Sequence, residues 1–546
     1  MRKGMLKSIA DSRKIKYSTL SLVLCAVVVA VVIIFNSIIS VLASSLGWYV
    51  DMTDRQMFTL SDGAKAHLNS INKEIEIEII FPLDKDQVET EYAVSSSSGS
   101  IGHIYKTAFE IAQECENITL SYHDTVKDYG TFYKENGLQE HAKSGHILIV
   151  RKDENGKYAT GDLRSYPINY FFVSKSATDS TLYAYNGELV FLSALIAMSR
   201  DDVPTVYFTV GHGENSFLLE DEKVKEEGLS YSSLASAAAN GIVSGKAYNL
   251  MQIFADSGFR IKPIDLRLED IPADARMMVI NQPSVDFTED ELYKLTTYLQ
   301  NGGATFCFTP YDIELPSLYE TLRANYGVTV NTSNTPIEDN RTMVTNKLDV
   351  GGGATATLKH YLANVSMHDN GFASLKYFSA YTNYSSANAY YNKAGSIDIE
   401  DKYMTQTGLQ TGGYTKYTYP LLETSSSAEF MGVRKNHTLM SITSIDNWSV
   451  EDENSRYSYL VVCPSSDFVS AEALSVSSVN RHMMLSLIQS TSSVQTPVNL
   501  DYKPFVEYKL TLTDAQARTI TVVLATILPL IITACGVVVL VRRKHR

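Results

Sequence analysis

Directly after an apolar run that reads as a strand, Thr205 to Val210, the chain carries Gly211-His212-Gly213-Glu214. An imidazole and a carboxylate two residues apart, framed by glycines, can hold a polar ligand. In open α/β sheets, ligands bind in the crevice beyond the carboxyl ends of the strands. Glycines there let the backbone approach closely. Other loops expected at the same edge bring Asp265, Asn281, Gln282, Pro283 and Pro310. His212, Glu214, Asp265, Asn281 and Gln282 therefore form the candidate site for a small polar ligand. The same four-residue turn also reads as a tight structural turn whose histidine and glutamate satisfy backbone groups. The sequence leaves both readings open.

Other chemistries find little to work with, so no catalytic residue, metal ligand or cofactor is assigned. His212 and Glu214 are too few for a metal site of three or four ligands. The chain has no GxSxG elbow and no HExxH, and Ser284 lacks the elbow glycines. Gly241 to Ala247 (GIVSGKA) only approaches a phosphate loop: three residues, not four, separate the glycines, and Ala247 stands where a magnesium-binding hydroxyl belongs. Five cysteines are scattered without a CxxC pair. Cys307, within ATFCFT, reads as a buried inert thiol.

These residues need a scaffold, and hydrophobic patterning supplies one. Thr59-Leu60-Ser61-Asp62 offers an N-cap for a helix carrying Ala64, Ala66 and Leu68. Ile75, Ile77 and Ile79 alternate with Glu74, Glu76 and Glu78, which predicts a half-buried strand with an acidic face. A flexible serine-rich loop (95–100) comes next. Helix 104–115, strand 118–122, helix 129–136, strand 146–151 and the apolar helix 187–198 complete a first α/β domain. The second begins at Pro204. Strands 205–210, 259–264, 275–280 and 304–309 alternate with helices 246–257 and 288–300, the latter capped by Thr288 with Glu289, Asp290 and Glu291 in its first turn. A serine-rich loop is expected up to about Ser244. Alternating apolar strands and helices imply a doubly wound parallel sheet. Residues 330–440 read as an irregular, β-leaning insertion, after which strand 457–463 and helix 480–488 resume the pattern.

The two ends are of a different kind. Residues 20–43 contain no charge and 519–541 are almost wholly apolar, each long enough to span ~30 Å of hydrocarbon. Arg2, Lys3, Lys7, Arg13, Lys14 and Lys16 precede the first run. Arg542, Arg543, Lys544 and Arg546 follow the second. Both termini are therefore expected in the cytoplasm and the bulk of the chain on the other side of the membrane. Val41-Leu42-Ala43 offers a cleavage-like site, but the run exceeds a signal-peptide core and reads as an uncleaved anchor. Ten of the 47 Lys and Arg residues and one of the 61 acidic residues lie in the tails, which leaves 37 basic against 60 acidic side chains between them, a formal −23. Such a surface repels nucleic acid. The expected order is a cytoplasmic tail (1–19), first span (20–46), α/β domain (47–202), doubly wound domain (203–490), linker (491–518), second span (519–541) and cytoplasmic tail (542–546).

Taken together, PTVYFTVGHGE (204–214), DIPADARMMVINQPSVDFTEDELYKLTTYLQNGGATFCFTP (270–310), DMTDRQMFTLSDGAKAHLNSI (51–71) and LPLIITACGVVVLVRRK (528–544) resemble the auxiliary component of ABC transporters that includes the gliding-motility protein GldG. The resemblance implies an extracytoplasmic fold like the class I glutamine amidotransferases or flavodoxin, without the catalytic cysteine. It also implies a non-enzymatic subunit working with ABC permease and ATPase subunits. Pro464-Ser465-Ser466-Asp467-Phe468 departs from the glycine-containing turn expected there. The alternatives from other classes are a membrane-anchored hydrolase using His212 and Glu214, and a structural envelope scaffold.

Overall fold

A computed structural model describes residues 30–38, with Val23, Ala26 and Val27 beside them, Met57, and most of 59–505. The intervals 91–100, 350–354, 366–388 and 450–453 are outside the description, as are several shorter ones. The serine run 95–100, much of the first apolar run, the whole of 519–541 and both tails therefore lie outside the described residues. Among the described residues no helix is long and apolar enough to cross a membrane. Residues 30–38 are helical, and Val31, Val32, Ile33, Ile34, Phe35 and Ile38 are 52–61% exposed on all sides of the helix. Contacts divide the chain into Met1–Lys503, which holds everything below, and Pro504–Arg546.

The first sheet grows from short apolar runs. Helix α1 (Asp62–Asn69) starts where expected, with the Ser61 hydroxyl accepting from the Ala64 N–H. Strand β1 (Ile77–Phe81) lies parallel to β2 (Ile118–Tyr122), which follows helix α2 (Ile101–Glu114). Strands β3 (His146–Arg151) and β4 (Arg164–Pro167) then add antiparallel, giving the order β2-β1-β3-β4. Of the expected acidic face, Glu74 and Glu76 are exposed just ahead of β1, but Glu78 within it is not. All five residues are buried, because Glu78 receives the Lys152 ammonium at 2.6 Å and the Tyr158 hydroxyl at 3.1 Å. Residues 129–136 give one π-helical turn rather than a regular helix. Helix α3 (Gly187–Met198) has no polar face and is buried almost all round, packing on α1, α2 and β3.

The second sheet is built as the periodicity requires. Strand β5 (Thr205–Thr209) is followed by short helices α4 (Glu222–Glu227) and α5 (Tyr231–Ala239), then α6 (Gly245–Asp256) and β6 (Arg260–Ile264). The expected serine-rich loop is thus partly helical. Asp221 and Ser230 cap these helices, and the alanines of α5, good helix formers, bury Ala237 beside Leu234. Strand β7 (Ala275–Asn281), α7 (Glu289–Gln300), β8 (Ala304–Phe308) and α8 (Pro316–Tyr326) follow.

Beyond these, the β-leaning segment is not a separate insertion, since its long strand β9 (Tyr414–Glu423) pairs antiparallel with β10 (Thr438–Ser449) and β10 with β11 (Asn454–Cys463), before α9 (Ser478–Ser492). β11 lies parallel to β8. The five parallel strands run β6-β5-β7-β8-β11, with Val206 opposite Met277 and Cys307 opposite Ile280. This is the flavodoxin-like order, and its chain reversal falls between β5 and β7. Alternate residues serve opposite faces. Tyr207, Met278, Ile280 and Cys307 join Leu292, Leu295 and Leu299 of α7 in one core. Phe208 and Phe306 meet Phe254 of α6, 5.9 and 6.1 Å between ring centroids.

Candidate functional site

The chain leaves β5 at the reversal point and turns sharply. Gly211 and Gly213 take φ of 103° and 73°, values that side chains rarely adopt. Space is also lacking there: a Cβ on Gly213 would sit 2.0 Å from the Ser284 hydroxyl, and one on Gly211 would sit 2.3 Å from the Arg267 guanidinium. The turn is sewn to the loop after β7 by the His212 carbonyl, which accepts the N–H groups of Ser284 and Val285 at 2.8 and 2.9 Å.

This path carries the His212 ring inward. The residue is 2% exposed and its ring stacks on Phe287, 3.9 Å between centroids. Both nitrogens face carboxylates. Nδ1 is 3.3 Å from Glu214 Oε1, and Nε2 is 2.9 Å from Glu291 Oε1. The Nε2 contact is ionic rather than an aligned hydrogen bond. Glu214 uses its other oxygen to accept the His212 main-chain N–H at 2.7 Å. Glu291 uses its other oxygen to accept the N–H and hydroxyl of Thr288, 2.8 and 2.7 Å away, which closes the capping box of α7. Burial opposes charge on His212, yet Glu214 and then Glu291 outweigh it and raise the imidazole above its usual value. Burial likewise opposes ionisation of Glu214, but His212 and nearby N–H groups hold its carboxyl below the usual range. The arrangement is an imidazole held between two buried carboxylates that favour its protonated form, linking the β5 turn to the first turn of α7.

The remaining candidates are spread along the same edge. Asp265 holds Arg267 through two hydrogen bonds of 2.9 and 2.6 Å, and that guanidinium, ahead of the opposing effect of burial, keeps the Asp265 carboxyl low. Asn281 is 3% exposed. Its Nδ2 donates to the Ser216 hydroxyl at 3.1 Å, while its Oδ1 has no hydrogen-bond partner among the described residues. Gln282 adopts φ 56° and donates from Nε2 to the Thr309 carbonyl at 2.7 Å. The structure thus brings His212 and Glu214 together, sets Asp265 beside them through Arg267 and Gly211, and turns Gln282 toward the end of β8. Glu291 was read in the sequence only as a charge in a helix's first turn. The Thr-x-x-Glu spacing of a capping box was its available signal, but nothing local says that its second oxygen reaches His212.

The thiols nearby are quiescent. Cys307 and Cys463 are buried on neighbouring strands, and burial pushes both up to about 12, so neither is a thiolate at neutral pH. The loop at Gly241 connects α5 to α6 rather than a strand to a helix, and the Ser244 hydroxyl there accepts the Lys246 N–H at 3.3 Å.

Residues 203–367 match the family model of an ABC-type uncharacterized transport system, auxiliary component. The match starts just before β5, takes in β6, β7, β8 and the whole His212 arrangement, and supports an auxiliary component of an ABC-type transport system. No curated protein matches the chain. Among solved structures, the N-terminal domain of mmIFT52 is similar at TM-score 0.30 and 13% identity, covering 52% of this chain and 96% of that one. The exo-β-1,4-mannosidase Op5Man5 from Opitutaceae bacterium strain TAV5 gives TM-score 0.23 and 8% identity over 68% of this chain and 46% of that one. Likenesses this distant carry no functional argument.

Proposed function

We propose that this chain is a membrane-anchored, non-enzymatic auxiliary subunit of a bacterial ABC-type transport system, of the kind that includes GldG. It works beside permease and ATPase subunits, with both termini cytoplasmic and the α/β body on the outer face of the plasma membrane. The family match over 203–367 carries the reading. Anchoring is supported by the apolar helix 30–38, whose bare side chains suit hydrocarbon rather than water. It is also supported by the way the segments nearest the two apolar runs meet on one side chain. Glu188 of α3 accepts the Ser61 N–H at 3.0 Å and hydroxyl at 2.5 Å and pairs with the Lys503 ammonium at 2.6 Å, all buried or nearly so.

Hydrolysis is the weaker reading, because both nitrogens of His212 are occupied by carboxylates and its ring is covered by Phe287. The test is mild-detergent purification of the tagged full chain from its native membrane. A multi-span permease and an ATPase chain should co-elute in fixed ratio. Elution alone, before and after cross-linking in the intact membrane, would overturn the proposal.

A further inference from the structure

A cavity of about 680 Å3 opens at the amino edge of the parallel sheet, opposite the His212 arrangement. Its walls come from the start of β7, the residue before β8, the start of β11, and the ends of α7 and α9. The volume falls in the range of sites for small organic ligands.

Three features define what it would hold. The first is bare aromatic surface: Tyr293 of α7 and Tyr457 of β11 line the cavity while 71% and 53% exposed. The second is an uncommitted cation. Arg276 spends Nε on the Ser492 carbonyl, 2.8 Å away, which orients the guanidinium, and no carboxylate pairs with it among the described residues. The other basic lining residue, Lys294, is already shared by Asp270 and Asp290 at 3.4 Å each. The third is hydrogen-bonding capacity. Asn301 and Ser493 bring amide and hydroxyl groups, and the carboxyl ends of α7 and α9 both meet the cavity.

Helix carboxyl ends present carbonyl oxygens and a partial negative charge. They accept from hydroxyl groups and disfavour a phosphate, which carries more negative charge than a carboxylate. One oriented guanidinium matches one carboxylate through paired hydrogen bonds. Exposed tyrosine faces give rings of amphipathic ligands an apolar surface beside a polar rim. We propose that this cavity is a binding site for an acidic saccharide, with the carboxylate on Arg276 and sugar rings on Tyr293 and Tyr457. The proposal stands independently of the transport assignment.

The test is isothermal calorimetry on the full chain in detergent, with trigalacturonate as probe, a neutral galactose trisaccharide as its uncharged counterpart and AMP as a phosphate ligand. Trigalacturonate should bind saturably. Arg276→Gln should weaken it at least about tenfold, the loss of one charge-assisted pair, and leave the neutral trisaccharide unchanged. Tyr457→Ala should weaken both sugars. Both side chains are exposed, so thermal melts should match the parent and exclude unfolding as the cause. Absence of saturable trigalacturonate binding, unchanged affinity in both variants, or tighter binding of AMP would each overturn the proposal.

Discussion

Replacing His212 by alanine removes the imidazole held between two buried carboxylates. The Glu214 side chain is 0% exposed and Glu291 1%, so the variant leaves both carboxyl groups buried without their shared partner. Breaking a buried pair by deleting one partner costs about 3–5 kcal/mol. Phe287 also loses the ring stacked at 3.9 Å, which adds a cavity cost. The full chain in detergent, unfolded thermally and followed by far-ultraviolet circular dichroism, should melt of order 10 °C lower.

The effect should depend on pH in a defined sense. His212 is raised, so its stabilisation is complete below the ordinary histidine value of about 6.5 and fades as pH climbs through the raised value. Glu214 is lowered, so its stabilisation is complete above the ordinary carboxylate value and fades as pH falls through the lowered one. The gap between parent and His212→Ala should be widest in mildly acidic solution and should narrow in alkali. A variant melting within a degree or two of the parent at pH 6 would refute the structural reading. If it also lost transport function, it would return His212 to the list of ligand contacts.

Gly213→Ala should destabilise by more than about 1 kcal/mol, because positive φ is strained for alanine and its methyl would meet the Ser284 hydroxyl; the same melts check this. In intact cells an impermeant thiol reagent should label a cysteine placed at Ser97 and spare ones at Gly4 and His545, while Cys115, Cys307 and Cys463, all buried, contribute little background. Labelling at either terminus would reverse the proposed orientation. The purified chain should show no saturable ATP binding at micromolar concentration by equilibrium dialysis, since the Gly241–Lys246 loop lacks both the spacing and the magnesium-binding hydroxyl of a phosphate cradle.

Local patterning was enough to read strands of both sheets. Strands 118–122, 146–151, 205–209 and 304–308, and helices 187–198 and 289–300, follow from runs of apolar residues, caps and glycine stops, which depend on neighbours in the sequence. The turn at Gly211-His212-Gly213-Glu214 was legible for the same reason. Helix α5 was missed because a serine-rich run looks like a loop until Leu234 and Ala237 find a surface to bury against. Strand β1 looked half-exposed because alternation cannot reveal that Lys152 and Tyr158, more than seventy residues later, cover Glu78. The long strands β9 and β10 were read as irregular because their partners, not their period, define them. Above all, sequence order placed Glu291 in a helix start and His212 in a turn, and only the sheet order that sets β7 beside β5 brings the carboxylate within 2.9 Å of the ring. Apolar periodicity is a property of contiguous residues and survives in the one-dimensional string. The second carboxylate on His212 and the burial of its ring come from residues more than seventy positions away, and tertiary packing alone brings them there.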